Sequence, residues 1–282
     1  MILVKTINDL QKILATYKSA GTQIGFVPTM GALHAGHISL IEICRQQNDF
    51  TISSIFVNPT QFNNTADYEK YPASLEQDIN LLEEAGCSLL FIPSVNEMYP
   101  VGEPVKVYEL GFIETLLEGK YRPGHFQGVC RIVDKLLAAV NPHNLYVGQK
   151  DYQQCMVIKK MMELNGYSTH LHICPTVRQT DGLALSSRNL RLSATEKNEA
   201  THIIKTLQFI QANIEPGSLN TLKEQARKLL TQVGFKIDYV EIANAQTLEI
   251  VHHWNGEELL VALVAVYINE VRLIDNFVLN NT

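Results

Sequence analysis

Gln23–Gln47 reads QIGFVPTMGALHAGHISLIEICRQQ, an apolar run, a Gly-rich turn and an amphipathic run in that order. Gln23–Val27 predicts a strand. Gly36–Gln47 predicts a helix, with Ile38, Ile41 and the Leu40/Cys44 pair on one side. Between them lies Pro28-Thr29-Met30-Gly31-Ala32-Leu33-His34-Ala35-Gly36-His37. Gly31 and Gly36 let the backbone approach a ligand closely. A helix opening near Gly36 aims its unpaired N–H groups at that ligand and favours an anion there. Two imidazoles three residues apart can donate hydrogen bonds to a phosphate that gains charge in the transition state. The turn is not a Walker A loop, which needs G-x-x-x-x-G-K-S/T. The plainer alternative is that His34 and His37 bind a metal or merely cap the helix.

The same alternation extends outward. Thr51–Val57, Leu89–Ile92, Leu145–Val147 and His170–Cys174 predict strands, and Ser74–Ala85, Gln127–Val140 and Asp151–Leu164 predict helices. Ser74 and Gln77 form a capping-box pattern at the head of one helix. This rhythm implies an α/β fold, a Rossmann-like doubly wound parallel sheet with helices on both faces. Ligands bind outside the carboxyl ends of such strands. The polar clusters NPTQFNN, GQKD and PTVRQTDGLALSSRN follow strands, as that rule requires. After about residue 190 the alternation stops. Ser193–Ile214, with its own Ser193/Glu196 capping box, and Leu219–Val233 predict helices, and Lys236–Ala243, Leu259–Ile268 and Val271–Leu279 predict strands. A domain 1–180 and a smaller α+β domain 181–282 are expected, with the boundary near 178–190, and a cleft between domains is a usual small-molecule site.

Composition narrows the function classes. Hydrophobic residues make up 46% of 282, enough for a packed core rather than a disordered chain. The net charge of −6 argues against sequence-independent nucleic-acid binding, so no nucleic-acid partner is expected. Five widely spaced cysteines without C-x-x-C fit a reducing compartment and predict neither a disulfide framework nor a zinc site. The N-terminus does not read as a signal peptide, and no apolar run reaches membrane-spanning length, so a cytoplasmic protein without a membrane partner is expected.

Four further clusters carry chemistry. Asn58-Pro59-Thr60-Gln61 offers amides to a substrate rich in hydroxyl and carboxylate groups, or is an ordinary polar turn. Gly148-Gln149-Lys150-Asp151 sets Lys150 between a strand end and a helix start, where it can neutralise a phosphate, with Gln154 one turn on. Asp151 either caps the helix or touches a ribose or lysine. Leu185-Ser186-Ser187-Arg188 reads as a phosphate clamp, or else as a solvated linker. Arg122–Val129, RPGHFQGV, reads as a mobile lid or substrate loop. Neither G-x-S-x-G nor a Cys–His set supplies a nucleophile, which leaves positioning and charge stabilisation while the substrate's own carboxylate attacks.

H-x-G-H with a later Ser/Arg loop resembles the nucleotidylyl-transferase and class I aminoacyl-tRNA synthetase superfamily. Within it, PTMGALHAGHISLI, FVNPTQF, Tyr-Pro-x₅-Asp ending at Asp78, RPGHFQGV, G-x-KDYQQ, PTVR-x-x-DGLA-x-SSRN and Arg272–Asn276 (RLIDN) resemble the pantoate–beta-alanine ligase (pantothenate synthetase) family, in order, from about residue 23 to 276. The resemblance implies an AMP-forming ligase: pantoate and ATP give pantoyl-adenylate and pyrophosphate, and beta-alanine then displaces AMP. It implies Mg²⁺ riding on the triphosphate, with no metal ligands from the protein. Pro28–His37, Gly148–Asp151, Val177 and Leu185–Arg188 would hold ATP, with His37, His34, Lys150, Ser186, Ser187 and Arg188 acting in catalysis. Met30, Asn58, Gln61 and Gln154 would hold pantoate, with Gln61 near the beta-alanine path. A homodimer with a mobile C-terminal lid domain is implied as well. The chain departs from the family pattern at Ala73, where Arg is usual, at Gln149, where Glu is common, and at Asn269, where Gly is common. The alternative is a nucleotidylyltransferase acting on another small acceptor. A phosphorylated acceptor would call for extra Lys or Arg, whereas Asn58, Gln61 and Gln154 are neutral. A catalytically dead nucleotide sensor would show damage in one of the clusters, and none is damaged.

Overall fold

The computed structural model describes residues 1–63, 68, 69, 71 and 74–279, so Ala73 lies outside the described residues. The chain forms two compact units. The first comprises Met1–Gly148 and Val157–Pro175, and the second comprises Gln149–Met156 and the chain from Thr176 on.

The first unit is built on a six-stranded parallel sheet. Its strands are β1 (Ile2–Val4), β2 (Ile24–Thr29), β3 (Phe50–Ile55), β4 (Leu89–Phe91), β5 (Asn144–Gly148) and β6 (His170–Cys174), in the order β1-β4-β3-β2-β5-β6. Every residue of β3 is buried, as a central parallel strand covered on both faces requires. On one face Val27, Leu90 and Tyr146 pack with Leu40, Ile41 and Cys44 of the helix Ala35–Gln47 and with Leu82 of the helix Leu75–Glu84. Residues of opposite parity, Phe26, Ile52 and Leu145, are equally buried. The helix His125–Val140 packs on β2 and on the helix Ile7–Ser19. The strand order reverses between β2 and β5, the switch point at which such sheets bind ligands.

Two elements that the sequence left unassigned are at the start of the chain. β1 is a three-residue edge strand with Ile2 and Leu3 exposed, too short to show a period. The helix Ile7–Ser19 buries only Leu10 and Leu14, and it is capped by Thr6 Oγ1, which accepts from Asp9 N. Ser74 does not form the expected capping box. Its hydroxyl donates to Asp78 Oδ1 instead (3.1 Å), because that carboxylate sits within reach one turn on.

The second unit pairs the helices Ala194–Asn213 and Asn220–Gln232 with the antiparallel strands β8 (Lys236–Asn244), β10 (Leu260–Ile268) and β11 (Val271–Leu279); the two-residue strands β7 (Gly217–Ser218) and β9 (His253–Trp254) pair beside them. Ile203, Leu207, Leu222, Val240, Val264 and Leu273 are among its core residues. The Ser193/Glu196 capping box is present in both directions. Asn269 turns the chain from β10 to β11 at φ +49°, a conformation in which Asn is the best substitute for Gly, and its amide donates to Glu196 Oε1 (2.6 Å).

All five cysteines are buried free thiols. Burial pushes Cys44 and Cys130 up to about 12 and Cys87 up to about 11.

Asp134 on the helix His125–Val140 fastens the otherwise irregular stretch around residue 106. Its Oδ2 accepts from Lys106 Nζ (2.8 Å) and Tyr108 OH (2.7 Å), and its Oδ1 accepts from Tyr167 OH (2.6 Å) and Asn165 Nδ2 (3.1 Å). Burial alone would raise its pKa, but the hydrogen bonds from Lys106, Tyr167 and Tyr108 outweigh burial and hold it below the ordinary carboxylate range. A lowered carboxylate contributes stability that is full above the unfolded pKa and is lost as pH falls through the folded one. Asp134→Asn should therefore lower the urea midpoint at neutral pH and flatten its decline below about pH 4.

Candidate active site

The turn after β2 is held by a carboxylate. Asp78, 2% exposed, accepts from Ala32 N (2.9 Å, Oδ2) and Leu33 N (2.8 Å, Oδ1). Gly31 and Ala32 both take positive φ, +80° and +50°. A Cβ on Gly31 would lie 3.0 Å from Asp78 Oδ2 and 3.2 Å from Ile55 Cγ2, so position 31 must be glycine. Thr29 supports the same turn: its hydroxyl donates to Ser54 O (2.8 Å) and accepts from Gly31 N (3.3 Å).

His34 follows as the N-cap of the helix Ala35–Gln47. Its Nδ1 accepts from Gly36 N (3.2 Å), and His37 Nδ1 accepts from His34 N (3.3 Å), a capping box made from two histidines. The rings lie 4.1 Å apart, tilted by 39°. A ring that accepts at Nδ1 carries its proton on Nε2, so each imidazole is fixed as an Nε2–H donor. Capping and phosphate binding are thus compatible, since they use opposite nitrogens.

The candidate substrate residues Met30, Asn58 and Gln61 come together. Gln61 Nε2 donates to Met30 Sδ (3.1 Å), and Gln61 Oε1 accepts from Asn58 Nδ2 (3.0 Å). Asn58 is 1% exposed; its Nδ2 also donates to Gly128 O (3.1 Å), and its Oδ1 accepts from Tyr99 OH (2.8 Å) and Thr60 Oγ1 (3.0 Å). Its amide is spent inside the protein, so Asn58 orients Gln61 rather than facing a substrate. The segment Arg122–Val129, expected as a loop, is helical from His125. His125, 5% exposed, bonds through Nδ1 to Gln61 O (2.8 Å). Gly128 lets this helix touch the Pro59–Gln61 turn: a Cβ there would clash with Thr60 O.

The second unit gathers Lys150 and Arg188. Lys150, Ser186 and Arg188 line one hollow with Asn189 and Asp275. Lys150 has no ion-pair partner among the described residues, and it sits in the turn Gln149–Asp151 ahead of the helix Tyr152–Asn165. Ser186 caps the short helix Ser187–Arg191 by accepting from Arg188 N (3.2 Å). Leu185 N donates to Val177 O (3.0 Å), which pairs the two sides of the loop leading there. That loop is pinned by Arg178, whose Nη1 and Nη2 donate to Asp275 Oδ2 (2.6 Å) and Oδ1 (3.0 Å). Gln154 lies half-buried in the first turn of the helix Tyr152–Asn165.

Sequence reading assigned no role to Asp78, Arg178, Asp275 or Asn276. The signal available was their inclusion in Tyr-Pro-x₅-Asp, PTVR and RLIDN, segments with no reactive side chain in an obvious position.

The sequence pattern of the family described as Pantoate-beta-alanine ligase matches residues 2–278. The pantothenate synthetase of Acetivibrio thermocellus is 47% identical over 281 residues, 99% of each chain, and that of Bacteroides fragilis is 44% identical over 278 residues, 98% of each. The crystal structure of pantothenate synthetase from Thermus thermophilus superposes with a TM-score of 0.90 at 39% identity, covering all of both chains. A pantoate-beta-alanine ligase from Francisella tularensis, complexed with beta-gamma ATP and beta-alanine, gives 0.82 at 40% identity, covering 100% of this chain and 99% of that one.

Asp78→Asn replaces one acceptor with a donor that faces a backbone N–H. It should cost about 1–3 kcal/mol in chemical denaturation, and ATP-dependent turnover should fall more than this loss of folded protein explains. Gly128→Ala should cost about 1–3 kcal/mol in chemical denaturation and raise the Michaelis constant for pantoate more than that for ATP, each measured separately.

Proposed function

The chain belongs to the pantoate–beta-alanine ligase family, and on that basis we propose that it joins pantoate to beta-alanine at the expense of ATP. The pantoate carboxylate attacks the α-phosphorus and pyrophosphate leaves, giving pantoyl-adenylate. The amine of beta-alanine then attacks the acyl carbon, the C–O bond to phosphate breaks, and AMP leaves pantothenate behind.

The observation that carries this reading is the pair of histidines fixed as Nε2–H donors on a turn that a buried carboxylate holds rigid. Donors that need no reorganisation stabilise charge as it develops on phosphate oxygens. His37 polarises the phosphate, and His34 supports it. Lys150, Ser186, Ser187 and Arg188 supply further donors to phosphate oxygens. Met30, Gln61 and Gln154 hold pantoate.

These groups are N–H, hydroxyl, ammonium and guanidinium donors, and they suit phosphate oxygens rather than a hard cation. Among the described residues no group of three or more His, Cys, Asp or Glu converges. Mg²⁺, which the family resemblance implies, would be carried by the triphosphate and would neutralise part of its charge there. The reading extends to a homodimer working in the cytoplasm, with residues 1–180 binding ATP and pantoate and 181–282 forming a smaller domain. The family resemblance supports the dimer, and the buried free thiols are compatible with a reducing compartment. No helix among the described residues is long and apolar enough to cross a membrane.

Mass spectrometry of a mixture with ATP, Mg²⁺ and pantoate should find enzyme-bound pantoyl-adenylate, and adding beta-alanine should yield pantothenate and AMP. Absence of AMP from both mixtures would overturn the reading. His37→Ala should slow adenylate formation by about 10²–10³-fold while ATP binding changes far less. Equal losses in both would reduce His37 to a positioning role.

A further inference from the structure

We propose that Asn276 is an amide latch on the turn that carries Lys150, which makes it a positioning residue for adenylate formation. Asn276, 2% exposed on β11, donates through Nδ2 to Gln149 O (2.9 Å) and Lys150 O (2.9 Å). Both Nδ2 hydrogens are thereby committed to carbonyls, which fixes the orientation of the amide. Oδ1 must then face Gln149, whose Nε2 donates to it (3.2 Å). Two carbonyls and one side chain of a three-residue turn are thus held by a single buried amide.

The anchor of that amide is equally rigid. Asn276 N donates to Asp275 Oδ1 (2.8 Å), the carboxylate that takes Arg178 in the bidentate pair. Arg178 Nη1 also donates to Gly182 O (3.2 Å), and Asn189 Nδ2 donates to Ala184 O (2.9 Å). The middle of β11 therefore fixes both the turn that carries Lys150 and the loop that leads to Ser186 and Arg188. Lys150 is a point charge on a flexible stem without an ion-pair partner among the described residues, so the placement of its backbone decides where the charge can reach. The Gln149 side chain adds one bond, to Oδ1, whereas the two bonds from Nδ2 run to the backbone and hold the turn whichever side chain stands at 149.

The latch rests on the reading that Lys150 meets ATP, and the test separates the two. Single-turnover formation of pantoyl-adenylate is measured for Lys150→Ala, Asn276→Ala, Asn276→Ser and the double variants that combine Lys150→Ala with each of the other two, with urea midpoints alongside. Asn276→Ala should slow adenylation about 10–100-fold with the pantoate KM within about twofold, and it should add less than about twofold in the Lys150→Ala background. A full multiplicative loss in that background, or no loss in the single variant, would overturn the latch. Should Asn276→Ala fail to fold, Asn276→Ser, which keeps a polar side chain but cannot reach both carbonyls, carries the test. It should slow adenylation about fivefold or more with Lys150 present and have no effect without it, and an equal effect in both backgrounds would overturn the proposal. Unchanged adenylation in Lys150→Ala alone would instead sink the assignment of Lys150 to ATP, and the latch with it.

Discussion

A carboxylate cannot stay buried without donors, and Asp78 takes two of its donors from the turn that follows β2. This mutual need organises the first unit. The backbone at Gly31 and Ala32 enters the left-handed region, which is costly for Ala32, and the two N–H bonds to Asp78 hold it there. Because the turn is fixed, His34 arrives at the first position of the helix with its ring able to cap it. Because His34 caps, His37 can close the box from the other side. The orientation of both imidazoles thus traces back to a residue on a different helix, 41 positions further along the chain from His37 (78 − 37).

The architecture was legible because its signals are periodic and local. Apolar runs alternating with amphipathic ones give a parallel sheet, and five of its six strands appear within a residue or two of the expected positions. Turns that bind anions must be polar and Gly-rich, so the clusters carrying His34, His37, Lys150 and Ser186–Arg188 stood out. What could not be read depends on contacts distant in sequence. Asp78 resembles any acidic residue in a helix, and Ser74 resembles a cap until the carboxylate one turn away takes its hydroxyl. Asn58 resembles a substrate ligand until its burial and its bonds to Gly128 and Tyr99 are seen. β1 is too short for any period to register.

Around the candidate site residues stands a second set of side chains whose hydrogen bonds hold the chain in place. Asn58, His125 and Gly128 set the position of Gln61, and Arg178, Asp275 and Asn276 set the backbone around Lys150. In both cases the holding group is buried and its hydrogen bonds go largely to backbone carbonyls or to a bidentate partner. Such arrangements leave little slack, which suits donors that must be in place before charge develops.

The buried thiols have a practical consequence. A cysteine reacts as its thiolate, and burial leaves Cys44, Cys87 and Cys130 almost entirely protonated near neutral pH. In the native protein an alkylating reagent gains access only when the covering layer opens. Cys44 of the helix Ala35–Gln47 lies with Cys87 and Cys174 in one core layer, and Cys130 lies in the helix His125–Val140. The chain therefore carries its own stopwatch for breathing: labelling rates, resolved site by site, would time the two faces of the parallel sheet separately, with no probe added and no residue changed.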